Sequence, residues 1–202
     1  QVGITSEKES PVLESLGTLF YEPLWFFYRG AYQGRGLEGL RGRKISIGPE
    51  GSETRALTLE LLARNGLDQS FAQLLSLTPQ EAADQLLRNE IDAALMVNSW
   101  DSPAVRRLLA DKNIELWSFP RTDAYIALYP FLNKVIVPAG VGDLAQNRPP
   151  SDAVLFALKA SLVVRQDLHP AIQYLLLEAA EKIRSGPGIF HKAGHFPLAD
   201  AI

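Results

Sequence analysis

The 202-residue chain contains no cysteine. That excludes disulfides, thiolate-held metals and a thiol nucleophile, and it leaves the redox compartment open. Neither sign of charge is in excess: 20 basic residues face 23 acidic ones, for a net charge of −3. The densest basic cluster, Arg41, Arg43 and Lys44, is short and reads as a solvated turn, so there is no case for nucleic acid as a partner. No apolar run approaches the roughly 20 residues needed to span a bilayer. The chain opens on Gln1-Val2-Gly3-Ile4, with neither a signal peptide nor an initiator methionine. That opening reads like the end of a strand and points to a mature form or an internal fragment. What the chain does have is apolar content, 47% of its residues. That suffices for one large domain or two lobes with a proper core.

Along the chain, residues 1–5 look like a strand remnant, and residues 11–18 form either a helix or a loop. The run Leu24-Trp25-Phe26-Phe27-Tyr28-Arg29 is a continuous apolar strand ending in arginine. Five glycines between Gly30 and Gly42 mark a linker or turn region. A strand over residues 44–47 and a helix over 56–65 follow, the latter closed by Gly66. Thr78-Pro79-Gln80-Glu81 has capping-box spacing and starts a helix with Ala82, Ala83, Leu86 and Leu87 as its apolar stripe. Residues 92–97 form a buried strand. Ser102-Pro103 opens a helix to about Ala110, with Val105, Leu108 and Leu109 inward, and residues 114–118 form another strand. Strands alternating with helices of about ten residues define an α/β unit with a mixed, mainly parallel sheet flanked by helices.

Beyond it the pattern predicts a short helix over 125–131, a less regular region from 134, and a turn-rich break at 147–151. A long extended segment over 155–165 comes next. A final helix from His169-Pro170 to about Ile183 carries Ile172, Leu175, Leu176, Ala179 and Ile183 on one face. Residues 24–29 and 162–165 both end in arginine and flank the α/β unit. They are either two crossings between lobes or two ordinary core strands.

Two loops carry the chemistry. Gly48-Pro49-Glu50-Gly51-Ser52-Glu53-Thr54-Arg55 joins a strand to a helix N-terminus. Its glycines permit close approach, Ser52 or Thr54 can cap the helix, and Arg55 can receive a carboxylate. It is no Walker A loop, dinucleotide fingerprint or nucleophile elbow. It remains either an anion-binding turn or a plain helix cap. The second loop, Asn98-Ser99-Trp100-Asp101-Ser102, follows a buried strand and falls on the same sheet edge, where open α/β sheets bind ligands. Asn98 and Ser99 can bond a polar group, Trp100 either walls a pocket or covers a helix end, and Asp101 or Ser102 can cap the next helix. Tyr125, with Tyr129 and Phe131, either closes over a ligand or packs in the core. Glu22 and Glu53 are candidates for setting charge selectivity. His191 and His195 lack an evident third metal ligand, and no nucleophile–base–orienter set assembles. No catalytic residue, metal or cofactor is expected.

Residues 44–54 resemble the Gly-x-x-Gly-Ser-Gly-Thr loop of the TAXI-type solute-binding proteins of TRAP transporters. Further pieces of the likeness are Glu81-Ala82-Ala83-Asp84, Ile91-Asp92-Ala93-Ala94-Leu95 and Ser102-Pro103-Ala104-Val105-Arg106-Arg107-Leu108-Leu109. Tyr129-Pro130-Phe131-Leu132, Pro138-Ala139-Gly140 and Leu162-Val163-Val164-Arg165-Gln166-Asp167-Leu168 continue it. The resemblance implies a periplasmic binding protein-like fold: two α/β lobes joined by two hinge strands. It also implies extracytoplasmic capture of a small polar solute, an amino acid or organic acid, for delivery to TRAP membrane permease subunits, without enzymatic activity.

On that basis residues 1–30 are the remnant of the first lobe and its hinge strand, and 31–150 the second lobe. Residues 151–202 are the return strand and C-terminal helices. The N-terminal part of the first lobe is not in the sequence, and family members can continue into a membrane tether. The implied ligand contacts are Gly51, Ser52, Glu53, Thr54, Arg55, Asn98, Ser99, Trp100, Tyr125 and Glu22. Glu53 departs from the family, which has glycine there. The alternative is the ligand-sensing effector domain of a LysR-like transcription regulator.

Overall fold

The computed structural model describes residues 13–30, 37–184 and 186–198. The expected strand remnant at 1–5 and part of the glycine-rich stretch fall outside them. The chain divides into two compact units, Pro23–Ala157 and Gln1–Glu22 with Leu158–Ile202. Seven strands run in the order β3-β2-β4-β1-β7-β6, and β5 pairs with β1. They are β1 (Leu13–Arg29), β2 (Lys44–Ser46), β3 (Gln73–Leu75), β4 (Ala93–Val97), β5 (Ile114–Leu116), β6 (Asn133–Val137) and β7 (Ala153–Arg165). The helices are α1 (Glu53–Arg64), α2 (Pro79–Leu87), α3 (Pro103–Ala110), α4 (Thr122–Leu128) and α5 (Pro170–Arg184). Among the described residues no helix is long and apolar enough to cross a membrane.

The larger unit follows from its sequence. Leu24, Trp25, Phe26 and Phe27 are fully buried, as a strand covered on both faces requires. β1 pairs antiparallel with β4, from Leu24↔Val97 to Tyr28↔Ala93. The arginine that ends the run has a local task. Arg29 Nε and Nη2 donate to the carbonyls of Leu86 and Leu87 at 3.1 and 2.8 Å, closing the C-terminal end of α2. Parallel pairing is confined, among the described pairs, to β3-β2-β4. There α1 and α2 supply the return crossings that parallel strands need. The pairs β1–β4, β1–β5 and β6–β7 are antiparallel, so the sheet is mixed without being mainly parallel.

Two helix ends match their signals, while α1 begins at Glu53, three residues before the expected start. Thr78 and Glu81 form the reciprocal capping box of α2. α1 closes on Asn65, with Gly66 at φ +71° and Leu67 N donating to Leu62 O at 3.0 Å, a Schellman arrangement.

Several expectations are corrected. Residues 13–18 belong to β1 and are neither helix nor loop. α4 starts at Thr122, three residues before the expected Tyr125. Arg121 takes a left-handed conformation at φ +60°, and the Thr122 hydroxyl donates to Phe119 O at 2.7 Å. The expected less regular region starts later than residue 134: Asn133–Val137 is the regular strand β6, paired with β7 through Val137↔Ala153, and the irregular stretch runs from 138 to 152.

The crossings between units fall between Glu22 and Pro23 in β1 and between Ala157 and Leu158 in β7. Residues 24–29 therefore lie wholly in the larger unit and 162–165 wholly in the smaller. In the smaller unit, Thr18 and Leu198 exchange backbone hydrogen bonds at 2.8 and 2.9 Å, and Phe196 packs edge-on against Tyr21. The expected apolar stripe of α5 exists but faces solvent: Ile172, Leu175, Leu176 and Ile183 are 47, 60, 37 and 75% exposed. Ala180, the one buried residue of α5, sits about a quarter-turn round the helix from that stripe.

Candidate functional site

Because β2, β3 and β4 are parallel, their C-terminal ends share one edge, and the segments after Ile47, Leu75 and Val97 emerge there. Ile47 N donates to Leu75 O at 3.1 Å, which continues the β2–β3 pairing to that edge.

The first loop is built around Gly48. At φ +86° this residue would place a Cβ 2.7 Å from both Ser52 Oγ and Thr54 Cβ, so only glycine fits. Ser52 is the N-cap of α1. Its hydroxyl donates to Pro49 O at 2.7 Å and accepts from Arg55 N at 3.2 Å. Thr54 is buried, and its Oγ1 accepts from Val97 N at 2.9 Å. That bond ties the first turn of α1 to the end of β4 and sets the two expected loops side by side. Gly51 is exposed, and Glu53 and Arg55 are half-buried.

The second loop is fastened at its first residue. Asn98 N donates to Pro23 O at 3.2 Å, and Asn98 O accepts from Trp25 Nε1 at 2.9 Å. The Asn98 side chain accepts from Ser99 N at 2.9 Å and donates to Ser102 Oγ at 3.0 Å. Ser99 Oγ donates to Asp101 at 2.5 Å. Trp100 lies under the Arg106 guanidinium, 5.4 Å from the ring centre, with the Trp25 ring 6.5 Å away.

Eight of the ten sequence-derived residues thus gather at one edge: Gly51, Ser52, Glu53, Thr54, Arg55, Asn98, Ser99 and Trp100. Tyr125 is not among them. Its hydroxyl accepts from Asn65 Nδ2 at 2.6 Å and its ring stands edge-on to Phe156 at 5.1 Å. Asn65 is the C-cap of α1 and Ser52 its N-cap, so this position is about 20 Å along the helix from Ser52. Tyr125 instead lines an apolar depression with Leu61, Trp117, Phe119 and Phe156. Glu22 lies in the smaller unit's part of β1, half-buried, and burial pushes its carboxyl above the usual carboxylate range.

The hydroxyls of Ser52 and Thr54 are committed to holding the loops. What the edge offers a ligand is the dipole of α1, the backbone of its first turn and the Arg55 guanidinium. Ser76, at the end of β3, was missed by the sequence reading. Its hydroxyl accepts from Arg55 Nη1 at 2.9 Å. The available signal was the short run Gln73-Leu74-Leu75 just ahead of the Thr78 capping box. Elsewhere the rings of His191 and His195 stack 6.2 Å apart. Among the described residues no group of three or more His, Asp or Glu is arranged to hold a metal.

Residues 4–185 match the NMT1-like family, and the chain belongs to it. The fold is that of periplasmic binding proteins. The aliphatic sulphonate binding protein SsuA of Escherichia coli superposes with a TM-score of 0.51 at 15% identity, over 86% of this chain and 48% of that one. A periplasmic binding protein of an ABC transporter from Brucella ovis, solved with glutathione bound, gives 0.52 at 14% identity, over 91% and 44%. The chain spans about half the length of these solved proteins.

Proposed function

We propose that this chain belongs to a solute-binding protein that captures a small polar solute outside the cytoplasm and delivers it to a membrane permease of the TRAP type. It acts as a binding protein and not as an enzyme. The observation that carries the reading is the bond from Val97 N to Thr54 Oγ1. It brings a helix N-terminus and a polar loop together at the C-terminal edge of parallel strands, the place where open α/β sheets bind ligands. Membership of the NMT1-like family and the periplasmic-binding-protein fold support it. The solved proteins of that fold are described as binding an aliphatic sulphonate and glutathione, both small polar anionic compounds.

In this reading Gly51, Ser52, Thr54 and Asn98 shape the edge, and Arg55, Glu53 and Ser99 face the solute. Trp100 is the wall beside them. The amino acids and organic acids are the solutes expected. Calorimetric titration of the protein expressed from its full reading frame, against a panel of both, tests the proposal. Saturable one-to-one binding of at least one member is the expected result. Heat-free titrations across the panel, with no shift in melting temperature, would sink it.

A further inference from the structure

We infer that the aromatic depression at the C-terminal end of α1 is a second ligand site, one that takes a small aromatic carboxylate. It lies wholly within the larger unit and is independent of the solute-capture reading.

Three observations carry it. The first is the lining. Leu61, Phe119 and Phe156 form its buried floor, with the Phe119 and Phe156 rings 4.6 Å apart. The half-buried rings of Trp117 and Tyr125 line it as well, and Asn65 and Arg121 supply its polar groups. An apolar concavity with a few placed polar groups is the usual make-up of a small-molecule site.

The second is the Tyr125 hydroxyl. Asn65 Nδ2 donates its two hydrogens to Leu61 O at 2.7 Å and to Tyr125 Oη at 2.6 Å. A backbone carbonyl only accepts, which fixes the orientation of the amide. Tyr125 therefore accepts from Asn65, and its own O–H is left to donate. Among the described residues no acceptor meets it. A half-buried donor set in an apolar lining calls for an acceptor from outside the chain.

The third is Arg121, at φ +60°. The other described non-glycine residues with positive φ are Asn89 and Asn147, and asparagine tolerates that conformation. A glycine or an asparagine would start α4 here without the strain. Arginine brings a guanidinium, and Nη2 donates to Asn65 Oδ1 at 3.3 Å. One amide thus holds a phenol O–H and a cation side by side. A carboxylate accepts from both, and an aromatic ring attached to it meets Trp117 and the rings of the floor.

The test is amide NMR of the protein expressed from its full reading frame. The probes are sodium benzoate, acetate (no ring) and benzyl alcohol (no charge), with variants Arg121→Gln and Tyr125→Phe. Benzoate should move Asn65, Trp117, Arg121 and Tyr125 saturably, with acetate and benzyl alcohol about tenfold or more weaker there. Its affinity should fall about fivefold or more in Arg121→Gln and severalfold in Tyr125→Phe, with benzyl alcohol unchanged in both. Equal binding of benzoate and benzyl alcohol would overturn the inference. So would benzoate shifts centred on residues 48–55, or no saturable shift at the four residues up to about 10 mM. None of these results bears against solute capture at the strand-end edge.

Discussion

Helices α3 and α5 carry the same kind of apolar stripe and meet opposite fates. In α3, Ala104, Val105, Leu108 and Leu109 are at most 3% exposed. In α5, Ile172, Leu175, Leu176 and Ile183 range from 37 to 75% exposed. Periodicity specifies that a stripe exists; the neighbouring layer decides whether it is covered. α3 has that layer, packing against α2 and β5. The larger unit is therefore a complete α/β core, while the smaller one presents apolar helix surface.

The sharpest way to break this comparison is truncation at matched leucines. Leu108→Ala should cost about 3 kcal/mol through lost burial and a residual cavity, whereas Leu175→Ala should stay within about 0.5 kcal/mol. Urea melts of both variants check this. Equal losses would mean that the stripe of α5 is covered in solution.

A second, smaller effect belongs to the loop of the larger unit. Gly48→Ala must fit a Cβ against Ser52 Oγ and Thr54 at a left-handed φ. It should destabilise the protein by about 1–3 kcal/mol and weaken solute binding, with thermal melting and calorimetry as readouts. An unchanged melting temperature would contradict the tight turn.

The smallest effect concerns the smaller unit. Burial raises the Glu22 carboxyl, so the native state pays for ionising it. Glu22→Gln should therefore raise stability at neutral pH. The gain should fade as pH falls through the raised native value and vanish below the unfolded one of about 4.3, where the wild-type carboxyl is protonated in both states. Melting temperature against pH for the two proteins reads this directly, and a lower neutral-pH melting temperature for the variant would assign Glu22 a stabilising partner.

What could be read in advance follows the range of each interaction. The capping box at Thr78 and Glu81, the Gly66 stop of α1 and the loop ends at Ser52 and Asn98 are local patterns, and they were legible. The left-handed Arg121 that advances α4 by three residues has no local signature, since arginine is not a residue that favours that conformation. The Arg29 bonds to α2 and the Ser76 bond to Arg55 join residues 57, 58 and 21 positions apart. A linear reading does not see such pairs. Tyr125 was drawn to the site by its aromatic neighbours, but the Asn65 bond and the Phe156 ring hold it at the far end of α1. The exposure of α5 depends on what stands beside it, which periodicity does not encode.

The central claim is that the edge formed by residues 48–55 and 98–102 takes the solute. Backbone-amide NMR of the full-length protein, titrated with the tightest member of the carboxylate and amino-acid panel, tests it most directly. The account predicts the largest shifts at Gly51, Ser52, Thr54, Arg55, Asn98 and Ser99, with Asn65 and Tyr125 little changed. Largest shifts around Tyr125 and Asn65, or along α5, with residues 48–55 unmoved, would contradict it.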